Sequence, residues 1–478
     1  MSDISQSLDN LTPEAKRHLL AAALRREAGR QRRPLSFSQQ ELWFHSPFAP
    51  QDASNHIQIT VSILGEIELT LIEKSLNEII QRHESLRTVF KSVGDQVFQE
   101  VAKSAALVAL RVADLAQMSE PQRQAALQRV VDEDAQTPFD LAAGPLLRFS
   151  LVRLAPESYR GSLTVHHAVF DGWSVGVLLQ ELWAIYSALR QGRQLSLPAP
   201  SAQYCDYCRW QNQMLHGPAR QNLLAYWRAR LADLPRPLEL CRGERAQPLA
   251  SRRAEVPITL SSHVRDELKA LNRREGVTLF MSLLAAFSVL LRRMTRQDDF
   301  LIGSPVACRN RADFQWVIGY IANNLLLRID LSGNPTFRQL LEQVRKTVAD
   351  GFDHQDLPYA KLVDELRLQR PVDRTGLFQV RFALQNYPLP NPNSNSNSKI
   401  PGLAVTFLNE DSGTSRYDLA LEAFEKPDGL QLIFKFRTEL FPLDGIRTIA
   451  TDFQDLLGRL LADPDRAVKD VSSWLPNT

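Results

Sequence analysis

Residues 165–174 read VHHAVFDGWS. The β-branched stretch SLTVHH (162–167) runs into two adjacent imidazoles, His166 and His167, and Asp171, Gly172 and Trp173 follow almost at once. A strand's period of two sends His166 and His167 to opposite faces, so one ring can face a cleft while the other is packed or hydrogen-bonded. The ordinary pKa of histidine lies closest to neutrality, which suits it to general-base work. Asp171, beyond a bend, can hold that bend rigid through an arginine. Gly172 permits an unusual backbone angle or the close approach of a substrate. Ser174 can cap the following helix, whose apolar stripe is Val175, Leu178, Leu179, Leu182 and Tyr186. A helix starting there aims N–H groups and the positive end of its dipole at the same cleft. A base beside an anion-stabilising terminus is what acyl transfer through an oxyanion requires.

Three other readings fit the same residues. Paired histidines at a strand end can be purely structural. His167 with Asp171 can be half a metal site, although no third ligand is evident. A Ser–His–Asp hydrolase lacks its GxSxG elbow here, and Ser174 is better explained as a cap. Without a protein nucleophile, the acyl group would pass directly to a bound amine or alcohol.

The surrounding chain has 478 residues, 44% hydrophobic and 23% charged. One core rarely grows beyond ~250–300 residues, so two lobes are expected. The net charge of +2, from 56 basic and 54 acidic side chains, provides no global field for nucleic acid or anionic lipid. The N-terminus has no secretory pattern, and the apolar run 277–291 is broken by Thr278, Ser282 and Ser288. It reads as a buried helix, and no membrane association is expected. Four cysteines form no disulfide framework, which fits a cytoplasmic protein. Cys205 and Cys208 lie in the helical YCDYCRW, far from Cys241 and Cys308, so they read as packing residues with no metal.

Along the chain, TPEAKRHLLAAALRREAGR (12–30) reads as a helix, NHIQITVSILG (55–65) as a strand, and LIEKSLNEIIQRH (71–83) as a helix buried through Ile72, Leu76, Ile79 and Ile80. PLLRFSLVRL (145–154) and SLTVHH are further strands. LRQGRQLSLPAPSAQ (189–203) is a connector between the halves. Helices over 204–232 and 263–293, strands at 254–260, 300–306, 379–387 and 430–441, and a last helix near 444–462 complete the pattern. The insert LPNPNSNSNSKIPG (389–402) cannot build a core and reads as a mobile surface loop. Alternating strands and helices in both halves indicate an α/β chain with mixed sheets.

VHHAVFDGWS resembles the HHxxxDG core of the condensation domains of nonribosomal peptide synthetases, within the chloramphenicol acetyltransferase-like superfamily. SFSQQELWF (36–44), RHESLRTVF (82–90), YCDYCRW (204–210), IGYIANNLLLR (318–328), HQDLPYAKLVDEL (354–366) and RPVDRTGLFQVRFALQN (370–386) resemble that family's other motifs, in family order. Departures are Ser38 and Glu41 for Ala and Arg in the first, Ile-Ala and Asn324 in the fifth, and RPVDRTGLF in the seventh. The intact HHAVFDG argues against the cyclisation type, which uses DxxxxD, and against degenerate recruitment modules; YCDYCRW and HQDLPY favour condensation over epimerisation.

The resemblance implies two acetyltransferase-like lobes set as a V with a tunnel between them. The expected divisions are a helix or linker over 1–34, a first lobe over 35–188 and a second over 189–478. Two crossings would join the lobes, a floor loop in 303–320 and a latch somewhere in 376–412. The implied reaction is attack by an acceptor aminoacyl amine on a donor acyl or peptidyl thioester to form an amide. Both substrates would arrive on 4'-phosphopantetheine arms of donor and acceptor carrier proteins, with no cofactor bound by this chain. Alternatives within the fold are ester formation, acyl-CoA-dependent transfer, or non-catalytic carrier docking. Adjoining adenylation or other synthetase domains are possible partners. The chain itself would be monomeric, and it would be either free-standing or one piece of a longer assembly, with residues 1–30 as a linker.

By the same resemblance, His167 handles the acceptor amine and His166 supports the strand. Gly172 and the helix start face the tetrahedral oxygen. Asp171 pairs with Arg87, Trp173 shapes the tunnel, and Asn323 reaches the site from the second lobe. Gln39, Trp43, Tyr204 and Asp206 read as packing and lobe–lobe contacts.

Overall fold

The computed structural model describes residues 32–45, 53–94, 96–102, 108–193, 197–240, 251–366, 377–385, 402–408, 414–415 and 417–472. The expected helix at 12–30, all but the last residue of the 389–402 insert, and Cys241 lie outside the described residues. In chain order the strands are β1 (His56–Leu64), β2 (Thr88–Val93), β3 (Gln96–Val101), β4 (Arg111–Asp114), β5 (Leu147–Ala155), β6 (Ser158–His166), β7 (Ser251–Ser261), β8 (Asp299–Val306), β9 (Asn323–Asp330), β10 (Val380–Leu384), β11 (Ala404–Leu408), β12 (Thr414–Ser415), β13 (Leu419–Lys426) and β14 (Gly429–Arg437). The helices are α1 (Phe37–His45), α2 (Leu69–Arg82), α3 (Glu120–Gln136), α4 (Gly172–Arg190), α5 (Tyr204–His216), α6 (Ala219–Arg230), α7 (Ser262–Glu275), α8 (Leu279–Thr295), α9 (Phe337–Asp353), α10 (Tyr359–Glu365), α11 (Leu443–Ala462) and α12 (Val468–Ser472).

These elements form two mixed sheets, each over its own core, and a separate two-stranded β2–β3 ribbon. The first has the order β11-β1-β6-β5-β4, antiparallel except for the β4–β5 pair. Helix α2 buries Ile72, Leu76, Ile79 and Ile80, the stripe that its 3.6-residue period lays on one face. These side chains share a core with Val61, Ile63, Leu163 and the apolar face of α4. Helix α3 buries the smaller set Ala126, Leu127 and Val131 against Val152.

The second sheet has the order β12-β7-β14-β13-β10-β8-β9, with parallel pairs at β10–β13 and β10–β8. Its central strands β13 and β14 are buried over most of their length. Helix α8 is buried at every position from Ser282 to Leu291. The two serines that interrupt its apolar run donate to their own helix, Ser282 to the Leu279 carbonyl at 3.1 Å and Ser288 to the Leu284 carbonyl at 2.7 Å. A hydroxyl satisfied in this way can be buried at little expense. Among the described residues no single helix is long and apolar enough to cross a membrane; α7 and α8 meet at 103°.

The chain passes between the two sheets twice after β8. Residues 307–322, between β8 and β9, run against the first lobe and bury Ile318 in its core. Later, β11 adds to the edge of the first sheet, pairing Thr60 with Leu408 through Leu64 with Ala404. There Gly65, at φ +114°, approaches so closely that a Cβ would stand 1.9 Å from the Gly402 carbonyl oxygen, so only glycine fits.

Candidate active site

Strand β6 stops at His166, and His167–Val169 form a single 3-10 turn. His166 itself causes the stop: its Nδ1 accepts the Ala168 N–H at 3.1 Å and so caps the turn. The two histidines diverge because the strand ends between them, rather than by the alternation of a continuing strand. The His166 ring is buried edge-on against His56, its register partner on β1, and against Phe139, with centroids 6.0 and 6.2 Å away. His167 points elsewhere. Its Nδ1 lies 2.8 Å from the Phe170 carbonyl oxygen. A carbonyl only accepts, so Nδ1 carries the hydrogen and Nε2 is the basic nitrogen of the neutral ring. The Tyr320 ring lies against the imidazole, with centroids 4.0 Å apart and planes at 42°. The turn is held from outside by Gln39 of SFSQQ, whose buried amide donates to the Ala168 carbonyl at 2.8 Å.

Asp171 is the cap of α4. Its Oδ1 accepts the Ser174 N–H at 2.9 Å and the Ser174 hydroxyl at 2.7 Å. Ser174 is therefore the third residue of the helix and not its cap, which corrects the sequence reading. The cation beside Asp171 is Arg309, whose Nη2 sits 2.9 Å from both carboxylate oxygens. Oδ2 also accepts the N–H groups of Ile321 at 3.0 Å and Ala322 at 3.1 Å. Arg309 Nη1 donates to the carbonyls of Phe314 and Val317, each at 2.8 Å. Both side chains are out of solvent, at 0% exposure for Asp171 and 1% for Arg309. Burial alone would raise the Asp171 carboxyl. Arg309, the Ser174 hydroxyl and N–H and the Ala322 N–H outweigh it and hold the group below the usual carboxylate range.

Arg87 is not the partner of Asp171. It ends the 3-10 turn Glu84–Arg87 that leads into the β2–β3 ribbon, and its Nη1 donates to the Ala102 carbonyl just past β3. The motif around it does other work. Glu181 of α4 accepts from Arg82 Nε at 3.0 Å and meets His83 Nε2 at 2.8 Å. Gln203, just before α5, accepts the Glu84 N–H at 3.0 Å and donates to the Arg82 carbonyl at 3.1 Å. RHESLRT thus ties α2 to the helix that follows the His–Asp turn and to the start of the second half.

Gly172 is exposed, and a Cβ built there would meet no atom within 4 Å, so the first turn of α4 opens on clear space. Trp173 Nε1 donates to the Gln315 carbonyl at 2.8 Å, bonding the helix start to the 307–322 crossing. Asn323 does not offer its amide to the imidazole. Its Nδ2 donates to the carbonyls of Gln355 and Leu357, each at 2.8 Å, and its Oδ1 accepts from Asn324 and Tyr359, each at 2.9 Å. Those four bonds fill the amide's capacity, so the expectation that it reaches the site is corrected. Asn323 clamps the start of β9 to the loop before α10.

Sequence reasoning missed Arg309 and Tyr320. Both lie in the crossing assigned to the floor loop, where no periodicity marks a residue as buried. The signal that could have found Arg309 is chemical: a buried Asp171 needs a cation, and Arg309 and Arg311 are the arginines of that segment. Cys205 and Cys208 are buried in α5, and burial pushes the Cys208 thiol up to about 12, away from the thiolate that metal or redox chemistry uses. No group of three or more metal-ligating side chains occurs among the described residues.

The Nδ1-bonded imidazole of His167 and the carboxylate-capped start of α4, open at Gly172, are compatible with direct acyl transfer without a protein nucleophile. Residues 30–477 match the family model described as "Condensation domain". A linear gramicidin synthase of Brevibacillus parabrevis is 42% identical over 439 residues, covering 91% of this chain but 8% of that protein. Phosphinothricin tripeptide synthetase PhsC of Streptomyces viridochromogenes is 35% identical, covering 90% of this chain and 39% of that protein. Among solved structures, a starter condensation domain of rhizomide synthetase, a variant in complex with C8-CoA, superposes with a TM-score of 0.80 at 24% identity, over 92% of this chain and 98% of that one. The first condensation domain of the calcium-dependent antibiotic synthetase gives 0.78 at 21%, over the same shares. The chain belongs to the condensation-domain family of nonribosomal peptide synthetases. It is an acyltransferase of that family, whose members act on substrates borne by carrier-protein phosphopantetheine. It spans a small fraction of the linear gramicidin synthases that it matches.

Proposed function

We propose that the chain joins an acceptor aminoacyl group to a donor acyl or peptidyl thioester, each delivered on the phosphopantetheine arm of a carrier protein. The arms enter a tunnel between a first lobe (35–188) and a second (189–478), from opposite mouths. His167 accepts a proton at Nε2 from the acceptor amine, whose ordinary pKa of ~8 keeps most of it protonated at neutral pH. The freed nitrogen lone pair forms the C–N bond at the donor carbonyl. The N–H groups of Gly172 and Trp173, at the positive end of α4, stabilise the resulting oxyanion. Collapse of that intermediate breaks the C–S bond; the attacking nitrogen sheds its second proton to solvent, and the departing thiolate takes the first back from the imidazolium. Asp171 and His166 hold the geometry and stay out of the chemistry.

The observation that carries this reading is the Nδ1 bond of His167 to the Phe170 carbonyl, because it sets Nε2 as the basic nitrogen. The test offers the full chain pairs of carrier proteins charged with different amino acids and weighs the carrier-bound products by mass spectrometry. A dipeptidyl product on the acceptor carrier, lost by about 10²-fold or more in His167→Ala, is expected for removal of a general base. Product from His167→Ala at the wild-type rate would refute the assignment. Ester products from hydroxyacyl acceptors, or transfer from acyl-CoA alone, would redirect it within the fold.

A further inference from the structure

We propose that Tyr320 is a positioning residue for His167: its ring is the wall that fixes the orientation and tautomer of the imidazole. This rests on the reading of His167 as the group that handles the acceptor amine. The two rings come from different parts of the chain. His167 belongs to the turn after β6, whereas Tyr320 belongs to the crossing that leaves β8 and returns as β9. Tyr320 packs against both hydrophobic cores, which fits a residue at the junction of the lobes.

The backbone that carries this ring is pinned on every side. The Gly319 N–H donates to the Ser174 hydroxyl at 3.1 Å, and the Ile321 N–H donates to Asp171 at 3.0 Å. The Tyr320 carbonyl accepts from the buried Tyr204 hydroxyl at 2.8 Å. Tyr204 in turn lies 2.8 Å from the Ser36 hydroxyl, next to the segment that supports the His167 turn. Gly319 cannot be larger, because a Cβ would fall 2.1 Å from the Tyr204 ring. So many restraints on one short segment leave the Tyr320 ring little freedom, and it lies tilted against His167 with ring centroids 4.0 Å apart.

The Nδ1 bond to Phe170 fixes one atom of the ring and does not by itself stop the imidazole from turning about it. A wall on one face does. It also blocks water from that face, so the alternative tautomer gains no solvent partner there. The Asp171–Arg309 pair then has a second consequence. It orders the segment that holds the wall, and thereby couples the junction of the lobes to the basic nitrogen.

The test compares Tyr320→Phe and Tyr320→Leu in the full chain labelled with 15N-histidine, with the His167 signals assigned by their absence in His167→Ala. Wild type and Tyr320→Phe are expected to show one neutral tautomer, protonated at Nδ1. Tyr320→Leu is expected to show a mixture while keeping its thermal transition. In the carrier-protein assay, Tyr320→Leu should lose about 10²-fold in kcat with KM unchanged, the scale of effect from misplacing a reacting group by about 1 Å. Tyr320→Phe should retain kcat. A single Nδ1-protonated tautomer in Tyr320→Leu would overturn the proposal. So would an equal loss in Tyr320→Phe, which would make the hydroxyl the active part, or a loss confined to KM. Full activity in His167→Ala would defeat the functional reading alone, since the tautomer comparison would still report whether Tyr320 holds the ring.

Discussion

The two passages of chain between the sheets are built on opposite principles. The crossing at 307–322 is fastened by a buried ion pair and by backbone N–H groups aimed at one carboxylate. The crossing at β11 is fastened by a strand ladder on the edge of the first sheet and by the burial of Leu403 and Val405. A ladder tolerates many side chains, because the backbone supplies its bonds. The buried pair does not, because each charge is stable only with its full set of partners. The unforgiving fastening is the one next to His167. The molecule thus places its least substitutable joint where geometry has to be held most closely, and a generic joint where only proximity is needed.

The comparison breaks most severely at Arg309. Arg309→Met leaves the Asp171 carboxylate buried and unpaired, which costs about 3–5 kcal/mol. Adding Asp171→Asn should recover part of this loss, because the stranded charge is gone, while catalysis stays impaired. Urea unfolding of the wild type, the two single variants and the double variant measures both effects. The pH dependence has a defined sign. The folded Asp171 carboxyl titrates below its unfolded value of ~3.9, so its contribution is fully present above that value and is lost as pH falls through the folded one. Arg309→Met removes a cause of that depression. The stability gap between wild type and variant should therefore narrow as the buffer is taken from neutrality to below about pH 4. A gap that stays constant across that range would detach the ion pair from the effect.

A smaller effect is expected at the edge ladder. Val405→Ala removes two methyl groups from a buried position of β11, with an expected loss of about 1–2 kcal/mol. Because β1 lies between β11 and the strand that ends at His166, kcat and the His167 15N signals should not change. Denaturant midpoints and single-turnover rates on the same preparation check this. A fall in rate larger than the fall in stability would show that the second crossing also sets the site, and the contrast between the two would disappear.

Strands β1 and β14 and helix α2 were legible in the sequence for the same reason: each repeats. Alternation marked β1 and β14, and the stripe Ile72, Leu76, Ile79 and Ile80 marked α2. Helix α9 carries an equally plain stripe in Phe337, Leu340, Leu341, Val344 and Val348. Helix α3 carries a fainter one, because alanines and charged residues dilute it. The site was legible in its local part, since His167, Asp171 and Gly172 occupy one turn. The rest depends on residues far apart in sequence. Nothing in the spacing distinguishes Arg309 from Arg87 as a partner for Asp171, because an ion pair has no period. The end of β6 was hidden for a related reason. His166 stops its own strand through a side-chain bond to Ala168, and neither residue type announces it.

Arg87 supplies the finest discrimination. Its Nη1 bonds a carbonyl at the edge of the β2–β3 ribbon, in a setting where the contact is exposed. Loss of one such bond is worth about 0.5–1.5 kcal/mol. Arg87→Ala should therefore destabilise the chain several-fold less than Arg309→Met, and it should leave untouched the stability lost on acidification through Asp171. The decisive measurement is the double variant Arg87→Ala/Asp171→Asn. Residues without a shared partner give additive losses, whereas an ion pair gives a coupling energy. Additivity here, set against strong coupling between Arg309 and Asp171, would confirm that Arg309 and not Arg87 is the partner of Asp171 at the turn beside His167.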